Sequence, residues 1–302
     1  MRTACEGVAV ATLLGLMVAG CRGEGTAPST AAPVKVNAEA LDVADGRGFP
    51  YRDVSAGYDH TCGVTRVGAA YCWGDFSFGA LGIGPPPLST TRPLAVVGGH
   101  RFASLSAGAL RTCGVTLSGE AYCWGRSDGT TANSESPVAV AGGLSFATVS
   151  TGFNHTCGVT RSGEAYCWGD NRAGQLGDGT TVNSESPVAV AGGLSFATVS
   201  AGRDHTCGVT WSGEAYCWGD NGDGEIGNGE FSRGANQPVA VVGGLKFGAV
   251  SAGGFHTCGV TLSGGAYCWG DGDAGQLGFG GHAGTSKPLA VSAPVDLLSI
   301  LP

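Results

Sequence analysis

Short runs of apolar residues alternate with polar and glycine-rich turns along the chain after residue 48. Between Thr61 and Trp73, two runs of alternating side chains flank the turn Arg66-Val67-Gly68. Alternation of this kind places every second side chain on the same face of a strand. Such runs recur about every ten residues with turn residues between them, and no segment shows the period of an amphipathic helix. The pattern predicts an all-β chain built from short strands.

The turn inside each unit sets the register of a β-hairpin. Gly68 occupies the third place of a three-residue loop, where glycine adopts a left-handed backbone without steric cost. Counting outward, Cys62 faces Cys72 at a non-hydrogen-bonded pair, whose α-carbons lie about 4.5 Å apart, within disulfide range. The sequence therefore predicts a cross-strand disulfide, with Tyr71 and Trp73 on the opposite face of the hairpin.

Ten cysteines occur as five pairs with this same spacing. The first members of the pairs lie 51, 44, 50 and 51 residues apart, and residues 133–150 recur unchanged as residues 183–200. A period of this size is typical of a repeat protein. A zinc site is disfavoured because the chain has no Cys-x-x-Cys pair. We predict five disulfides: Cys62–Cys72, Cys113–Cys123, Cys157–Cys167, Cys207–Cys217 and Cys258–Cys268.

Composition agrees with a turn-rich β protein and narrows the function classes. The 302 residues include 56 glycines, and only 13% are charged, about half the usual share. Glycine is expected in the turns and at Gly63, where a missing side chain leaves room for the ring of Tyr71. With 16 Lys and Arg against 24 Asp and Glu, the sequence has no basic stripe for nucleic acid.

The amino terminus has the order of a secretory signal peptide. Arg2 precedes an apolar stretch over residues 8–18, which is too short to span a bilayer. The following Val-Ala-Gly-Cys resembles the bacterial lipobox, which implies cleavage before Cys21 and attachment of lipid to that cysteine. Ordinary secretion without lipid is the alternative. We expect a signal peptide over residues 1–20, a lipid-anchored flexible linker over 21–47, and the repeat domain over 48–302.

The best-preserved unit, residues 150–180, joins Thr-Cys-Gly-Val-Thr to Tyr-Cys-Trp-Gly-Asp-Asn and then to Gly-Gln-Leu-Gly. It resembles the repeat of the regulator of chromosome condensation family. The resemblance covers about residues 48–291 and implies a β-propeller in which each unit supplies about one four-stranded blade. Well-known members of the family close with seven blades, whereas this chain has five units. We expect a five-bladed ring sealed by terminal strands, with residues 288–291 opening an incomplete unit; an open arc is the alternative.

The second unit departs from the others in two ways. It has six residues fewer after Trp124, and Leu110-Arg111 replaces the usual pair that ends in histidine. We expect the blade formed by this unit to be trimmed on one face.

Residues able to carry catalysis or bind metal are few. Four histidines share one repeat position, and we expect each to bond a local backbone group rather than a metal: His60, His155, His205 and His256. The segment from Asp220 to Glu225 resembles a calcium loop but lacks the Asp-x-Asp-x-Asp-Gly spacing. No unit has a distinctive serine for a nucleophile triad. We predict no catalytic residue, cofactor or metal.

The regular framework and the few candidate catalytic groups favour a non-enzymatic binding or scaffold protein, tethered outside the cytoplasm. The variable loops at residues 84–91 and 228–236 are expected to contact an unknown protein or cell-envelope ligand. Alternatives are a secreted enzyme inhibitor, a guanine-nucleotide exchange factor like the founding family member, and a propeller lyase or glycosidase. The signal peptide argues against the exchange factor, and no acidic or histidine residues break the repeat symmetry as an enzyme would require.

Overall fold

The computed structural model describes residues 50–85, 89–126 and 133–293. Within these ranges the chain forms five sheets of four antiparallel strands, and the strands of each sheet follow one another in chain order. The structure also has a 3-10 turn at Ser77–Gly79. No helix in the described part of the chain is long and apolar enough to cross a membrane. The predicted all-β fold of about five four-stranded blades is confirmed.

Each sheet is one blade, and each blade corresponds to one cysteine-paired unit. Blade 1 contains β1 (Tyr51–Ala56), β2 (His60–Thr65), β3 (Ala70–Asp75) and β4 (Ser89–Ala95). Blade 2 contains β5 (Phe102–Ala107), β6 (Arg111–Thr116), β7 (Ala121–Gly125) and β8 (Ser134–Ala139). Blade 3 contains β9 (Phe146–Thr151), β10 (His155–Thr160), β11 (Ala165–Gly169) and β12 (Ser184–Ala189). Blade 4 contains β13 (Phe196–Ala201), β14 (His205–Thr210), β15 (Ala215–Gly219) and β16 (Ala235–Ala240). Blade 5 contains β17 (Phe247–Ala252), β18 (His256–Thr261), β19 (Ala266–Gly270) and β20 (Thr285–Ala290).

The hairpin between the second and third strands of each blade has the predicted register. In blade 1 the Thr65 amide donates to the Ala69 carbonyl over 2.9 Å, and Gly68 has a φ of 85°. Cys62 lies opposite Cys72, with α-carbons 4.1 Å apart. All five predicted disulfides are present: Cys62–Cys72, Cys113–Cys123, Cys157–Cys167, Cys207–Cys217 and Cys258–Cys268.

The glycine within the second strand makes room for an aromatic ring, but not for the ring we expected. Gly208 lies opposite Tyr216 as predicted. A β-carbon on Gly208 would, however, lie 2.6 Å from Cδ1 of Phe196 in the first strand. Phe196 packs edge-on against Tyr216, with ring centroids 6.5 Å apart. The first-strand ring therefore occupies the space above the glycine, and the tyrosine stands beside it.

The hydrophobic core lies between successive blades. At the junction of blades 1 and 2, Cys62, Val64 and Ala70 pack against Phe102 and Leu105 of the next blade. Equivalent clusters lie at the other three junctions. Each fully buried Phe, Leu or Val contributes about 1.5–3 kcal/mol through burial. The packing of one blade on the next therefore stabilises the described part of the chain.

The described blades form an arc. The first loop of each blade begins with a glycine, which we call the loop glycine. At four junctions the residue after the loop glycine donates its amide to the carbonyl of the loop glycine in the next blade, as Tyr58 does to Gly108 over 3.2 Å. Among the described residues no such bond joins blade 5 to blade 1. The expectation that residues 288–291 open a new unit was wrong. They overlap β20, the fourth strand of blade 5, where Leu289 lies opposite Cys268.

Candidate binding face

The connections within a blade fall on two opposite faces of the arc. In an antiparallel four-strand meander, the loop after strand one and the loop after strand three lie at the same end. The hairpin after strand two and the link to the next blade lie at the other end. First strands of successive blades contact one another, which places them nearest the axis. We call the end that carries the first and third loops the loop face, and the opposite end the hairpin face.

Four exposed side chains surround the axis on the loop face: Tyr58, Phe153, Arg203 and Phe255. We call them the inner crown. Each lies between the loop glycine and the residue at the repeated histidine position. Tyr58 is 76% exposed, and Phe153 and Phe255 are also exposed. The guanidinium of Arg203 lies 4.6 Å from the ring centre of Phe255 and 5.8 Å from that of Phe153.

The inner crown borders a cavity of about 510 Å³ whose floor is contributed by all five blades. The walls of the cavity are formed by the last residue of the first strand in each blade and by the glycine that follows it, such as Gly57, Gly152 and Gly253. Arg203 Nε also lies 3.3 Å from Asp204 Oδ2. Burial raises the pKa of the Asp204 carboxyl. The crown thus combines aromatic surface with a cation held in place by stacking and by an adjacent carboxylate.

The third loops form an outer ring, and those of blades 3 and 4 are each organised by a buried asparagine. The Asn171 side-chain amide donates to the Asp178 carboxylate and to the Thr180 and Val182 carbonyls, and its Oδ1 accepts the Leu176 amide over 2.9 Å. Asn221 bonds its own loop in the same manner. The variable residues of these loops are therefore displayed from a fixed base. Residues 86–88, within the predicted variable loop 84–91, lie outside the described residues.

The variable loop at residues 228–236 belongs to this outer ring. Phe231 is exposed within it. Asn236 reaches back to the loop of blade 3 and donates from Nδ2 to the Gly179 carbonyl over 2.7 Å. The predicted loop and the inner crown, which sequence reasoning did not single out, therefore share the loop face.

The acidic segment 220–225 is the third loop of blade 4. Asp220 Oδ1 accepts the Asn221 amide over 2.9 Å, and Glu225 Oε2 accepts the Asp223 amide over 2.9 Å. Glu225 is buried where Gln175 and Gln276 stand in other blades. Burial, reinforced by the charge of Asp220, raises the pKa of Glu225 to about 7. No group of three His, Cys, Asp or Glu in the described ranges is placed to hold a metal ion.

His60, His155 and His205 bond the neighbouring blade rather than a local backbone group, so the prediction was wrong for these three histidines. His155 Nε2 lies 2.7 Å from Thr206 Oγ1, and Thr206 in turn donates to the Gln175 carbonyl over 2.9 Å. Because the threonine hydrogen goes to the carbonyl, His155 is the donor in the first bond. Burial lowers the pKa of His155 and of His205 to about 3. Both imidazoles are therefore neutral links between blades at physiological pH.

His60 and His205 make the same link to Thr112 and Thr257 over 2.8 and 2.9 Å. Arg111, which replaces the histidine in the second unit, makes the link through Nη1 to Thr156 over 3.2 Å. For His256 of blade 5, no following blade lies within the described residues. The trimmed loop of the second unit, residues 127–132, lies outside the described residues. So does Cys21, the predicted lipidation site.

The inner crown could have been found from the sequence by a different signal. Almost every position before the cysteine is repeated, yet the two residues between the loop glycine and the histidine change from unit to unit. At these changing positions the chain has aromatic residues and an arginine. Variation within a strict repeat, rather than loop length alone, marks this part of the surface.

Two family profiles match the chain, both described as "Regulator of chromosome condensation (RCC1) repeat". One matches residues 162–209 and 212–260. The other matches once in each unit, at residues 51–80, 102–128, 146–175, 196–225 and 249–276. The matched stretches together cover more than half of the chain.

Curated relatives match over short stretches. The human "Probable E3 ubiquitin-protein ligase HERC4" is 33% identical over 76 residues, which is 24% of this chain and 7% of that protein. The Arabidopsis thaliana "Ultraviolet-B receptor UVR8" is 33% identical over 107 residues, 35% of this chain and 23% of the receptor. The matched part of this chain thus spans less than a quarter of the length of either relative.

Solved structures support the same fold. Human WBSCR16 superposes with a TM-score of 0.71 at 19% identity, over 78% of this chain and 65% of the other. Prp20p from Saccharomyces cerevisiae, described with its binding properties to Gsp1p and histones, has a TM-score of 0.53 at 19% identity, over 80% and 76% of the two chains. At this identity the likeness concerns the fold alone.

Proposed function

Because this chain belongs to the regulator of chromosome condensation repeat family, a family of binding and scaffold folds, we propose that it is a non-enzymatic binding protein that takes a partner through its loop face. We further propose that it acts outside the cytoplasm, anchored to the cell envelope through Cys21. Five disulfides suggest an oxidising, extracytoplasmic environment, since such bridges are rare in the cytosol.

One observation carries the proposed binding role. The repeated positions build hairpins and junctions, whereas the inner crown displays a tyrosine, two phenylalanines and an arginine from four blades at one part of the surface. Tyr, Phe and Arg are enriched at protein interfaces, and Tyr and Arg are among the residues that most often dominate binding energy. Exposed rings around a stacked guanidinium fit a partner that presents an apolar or aromatic anchor.

The surrounding third loops add a second requirement for the partner. Carboxylates of Asp178, Asp220, Asp223, Asp271 and Asp273 lie in these loops. Their charge favours basic groups around the partner's anchor and suppresses acidic partners. The partner that best fits this face is therefore a protein segment with an apolar centre and basic flanks.

The test uses the disulfide-bonded repeat domain as bait for envelope extract. Replacing Tyr58 and Phe255 together by serine should reduce capture of the bound protein at least about thirtyfold, because loss of even one such anchor costs about 2 kcal/mol. Trp211→Ser is the matched control, since Trp211 is 70% exposed but lies in a hairpin on the hairpin face. We expect this control to bind like the unaltered protein.

Circular dichroism and a thiol titration would verify that both variants are folded and oxidised. Equal capture by the crown variant and the control would contradict the assignment of binding to the loop face. Loss of binding in the Trp211 variant alone would move the site to the hairpin face.

A further inference from the structure

The first residue of each hairpin turn varies from blade to blade, although Ser-Gly follows it in four of the five turns. We call these first residues the tips. All of them are exposed, and each is either apolar or cationic: Arg66, Leu117, Arg161, Trp211 and Leu262. Trp211 and Leu262 are 70% and 69% exposed. The tips therefore contribute little to the core, and their side chains are presented to whatever lies against the hairpin face.

The tips of blades 4 and 5 are adjacent. A β-carbon on Gly163 of blade 3 would stand 2.9 Å from Trp211 Nε1, and one on Gly213 of blade 4 would stand 3.4 Å from Leu262 Cδ1. Each of these two side chains therefore lies across the turn of the preceding blade. The Leu262 amide also donates over 2.8 Å to the carbonyl of Lys246, which directly precedes blade 5. An exposed apolar surface of this kind marks a contact site for a protein or a membrane.

The charges of the two faces favour a membrane as the partner of the hairpin face. The links that join one blade to the next also lie on this face: residues 96–101, 140–145, 190–195 and 241–246. The described turns and links carry four cations and three carboxylates: Arg66, Arg101, Arg161, Lys246, Glu120, Glu164 and Glu214. Each glutamate accepts a hydrogen bond from the serine of its own turn.

The loop face has the opposite balance. Within the described loops, two acidic residues in the first loops and eight in the third loops stand against four arginines. Lipid phosphates repel such a surface and attract one on which cations are in excess. A bilayer is therefore approached more favourably by the hairpin face than by the loop face.

The chain enters its described part at the hairpin face. Pro50 precedes β1, and Tyr51, the first residue of β1, lies opposite Thr65 at the start of the first hairpin turn. Cys21, at which we propose acylation, precedes Pro50 in the sequence. The hairpin face is thus the side on which the repeat domain is joined to its proposed anchor.

We propose that the hairpin face docks on the surface of a phospholipid bilayer. The apolar tips enter the headgroup region, where tryptophan is enriched in membrane proteins, and the arginine tips pair with lipid phosphates. The inference rests on the proposed anchor at Cys21, because a lipid chain holds the small apolar surface at a high effective concentration beside the membrane. Docking in this orientation turns the inner crown away from the bilayer and leaves it open to a partner.

The experiment measures quenching of Trp211 by brominated lipid. The full mature chain, beginning at Cys21, is coupled through the thiol of that residue to a maleimide phospholipid in vesicles of phosphatidylethanolamine and phosphatidylglycerol. Trp211 is the one exposed tryptophan in the described ranges, and subtracting the spectrum of Trp211→Phe isolates its emission. We expect lipids brominated near the headgroups to reduce this emission at least about twofold relative to ordinary lipids, because the ring lies at headgroup depth.

A matched pair of substitutions tests the orientation. Leu262→Asp should reduce the quenching at least about twofold, because it removes apolar area beside Trp211 and adds a charge that anionic lipid repels. Val182→Asp is the control, since Val182 is 70% exposed in a third loop on the loop face, and it should leave the quenching unchanged. Circular dichroism would verify that both variants are folded.

Equal Trp211 emission in brominated and ordinary vesicles would overturn the proposal, and so would equal quenching in the two variants. An emission that shifts with the density of protein on the vesicles, without responding to bromine, would overturn it in favour of contact between the hairpin faces of two copies. The chemical anchor separates this test from the proposed acylation in cells, which mass spectrometry of the native protein decides independently.

Discussion

At the scale of single residues, the junctions depend on a buried relay of neutral groups. Thr206 accepts from His155 and donates to the Gln175 carbonyl, and Trp218 Nε1 donates to that same carbonyl over 2.9 Å. All four residues are buried, so each of these bonds is shielded from water. Buried polar groups that lose a partner cost more than the bond itself contributed. The relay thus fixes the alignment of one blade on the next.

We predict that Thr206→Val lowers the free energy of unfolding by about 1–3 kcal/mol, because the His155 donor is left buried without an acceptor. Thr61 provides the matched control. It occupies the same repeat position in blade 1, where none of the described residues forms an earlier blade that would bring a histidine to its hydroxyl, and it is only partly buried. Thr61→Val should change stability by less than about 0.5 kcal/mol. Urea unfolding of both variants measures the difference, and equal effects would refute the role of the relay.

Glu225 makes part of the stability depend on pH. Its pKa rises to about 7 when the chain folds, so between pH 4.5 and 7 the unfolded chain releases a proton that the folded chain retains. The folded state therefore loses stability as pH rises through this window. Glu225→Gln restores the residue found at 175 and 276 and should remove the loss, on the order of 3 kcal/mol at pH 8.

Unfolding of Glu225→Gln and of the unaltered protein should be compared at pH 4.5 and pH 8. The two curves should nearly coincide at the lower pH, where the carboxyl is protonated in the folded chain and half protonated in the unfolded chain, and separate at the higher one. A constant offset at both pH values would show that Glu225 does not titrate in this window.

At the scale of elements, the disulfide-bridged hairpin is the unit that the amino-acid pattern determines best. A three-residue turn ending in Gly68 fixes the pairing of Cys62 with Cys72, because all the determining residues are local. The position of the Phe196 ring above Gly208 could not be predicted from local residues. Phe196 is twelve residues from Gly208 and joins it only when the first strand pairs with the second.

We predict that Gly208→Ala destabilises the protein by about 1–3 kcal/mol, since its β-carbon would meet the Phe196 ring at 2.6 Å in a packed core. Gly254→Ala is the control, because no atom lies within 4 Å of its added β-carbon and its φ is not left-handed. Thermal unfolding monitored by tryptophan fluorescence compares them. A neutral Gly208 variant would mean that the ring can move aside.

The partners across the junctions escaped prediction for the same reason. His155 and Thr206 are 51 residues apart, and nothing local in either unit indicates that they meet. The inner crown likewise becomes one surface only when successive loops are brought around the axis. The repeat length and the cysteine spacing were sufficient to predict the number of blades. The contacts between blades could be identified only in the assembled structure.

At the scale of the whole molecule, the five described blades repeat one type of junction four times, and the end blades are less buried than the others. Trp73 of blade 1 is only half-buried, whereas its counterparts Trp124, Trp168, Trp218 and Trp269 are at most 3% exposed. Stability in such an array is close to a sum over neighbouring pairs of units. The disulfide within each blade is therefore well placed to support end blades that have only one neighbour.

We propose that the protein is an exported scaffold with one disulfide in every blade. Mass spectrometry of the native, unreduced protein isolated from the cell envelope is the decisive test. We expect a mature chain that begins at an acylated Cys21, with peptide pairs linking Cys62–Cys72, Cys113–Cys123, Cys157–Cys167, Cys207–Cys217 and Cys258–Cys268. Free thiols at these ten positions, or a mature chain that still begins at Met1, would contradict it.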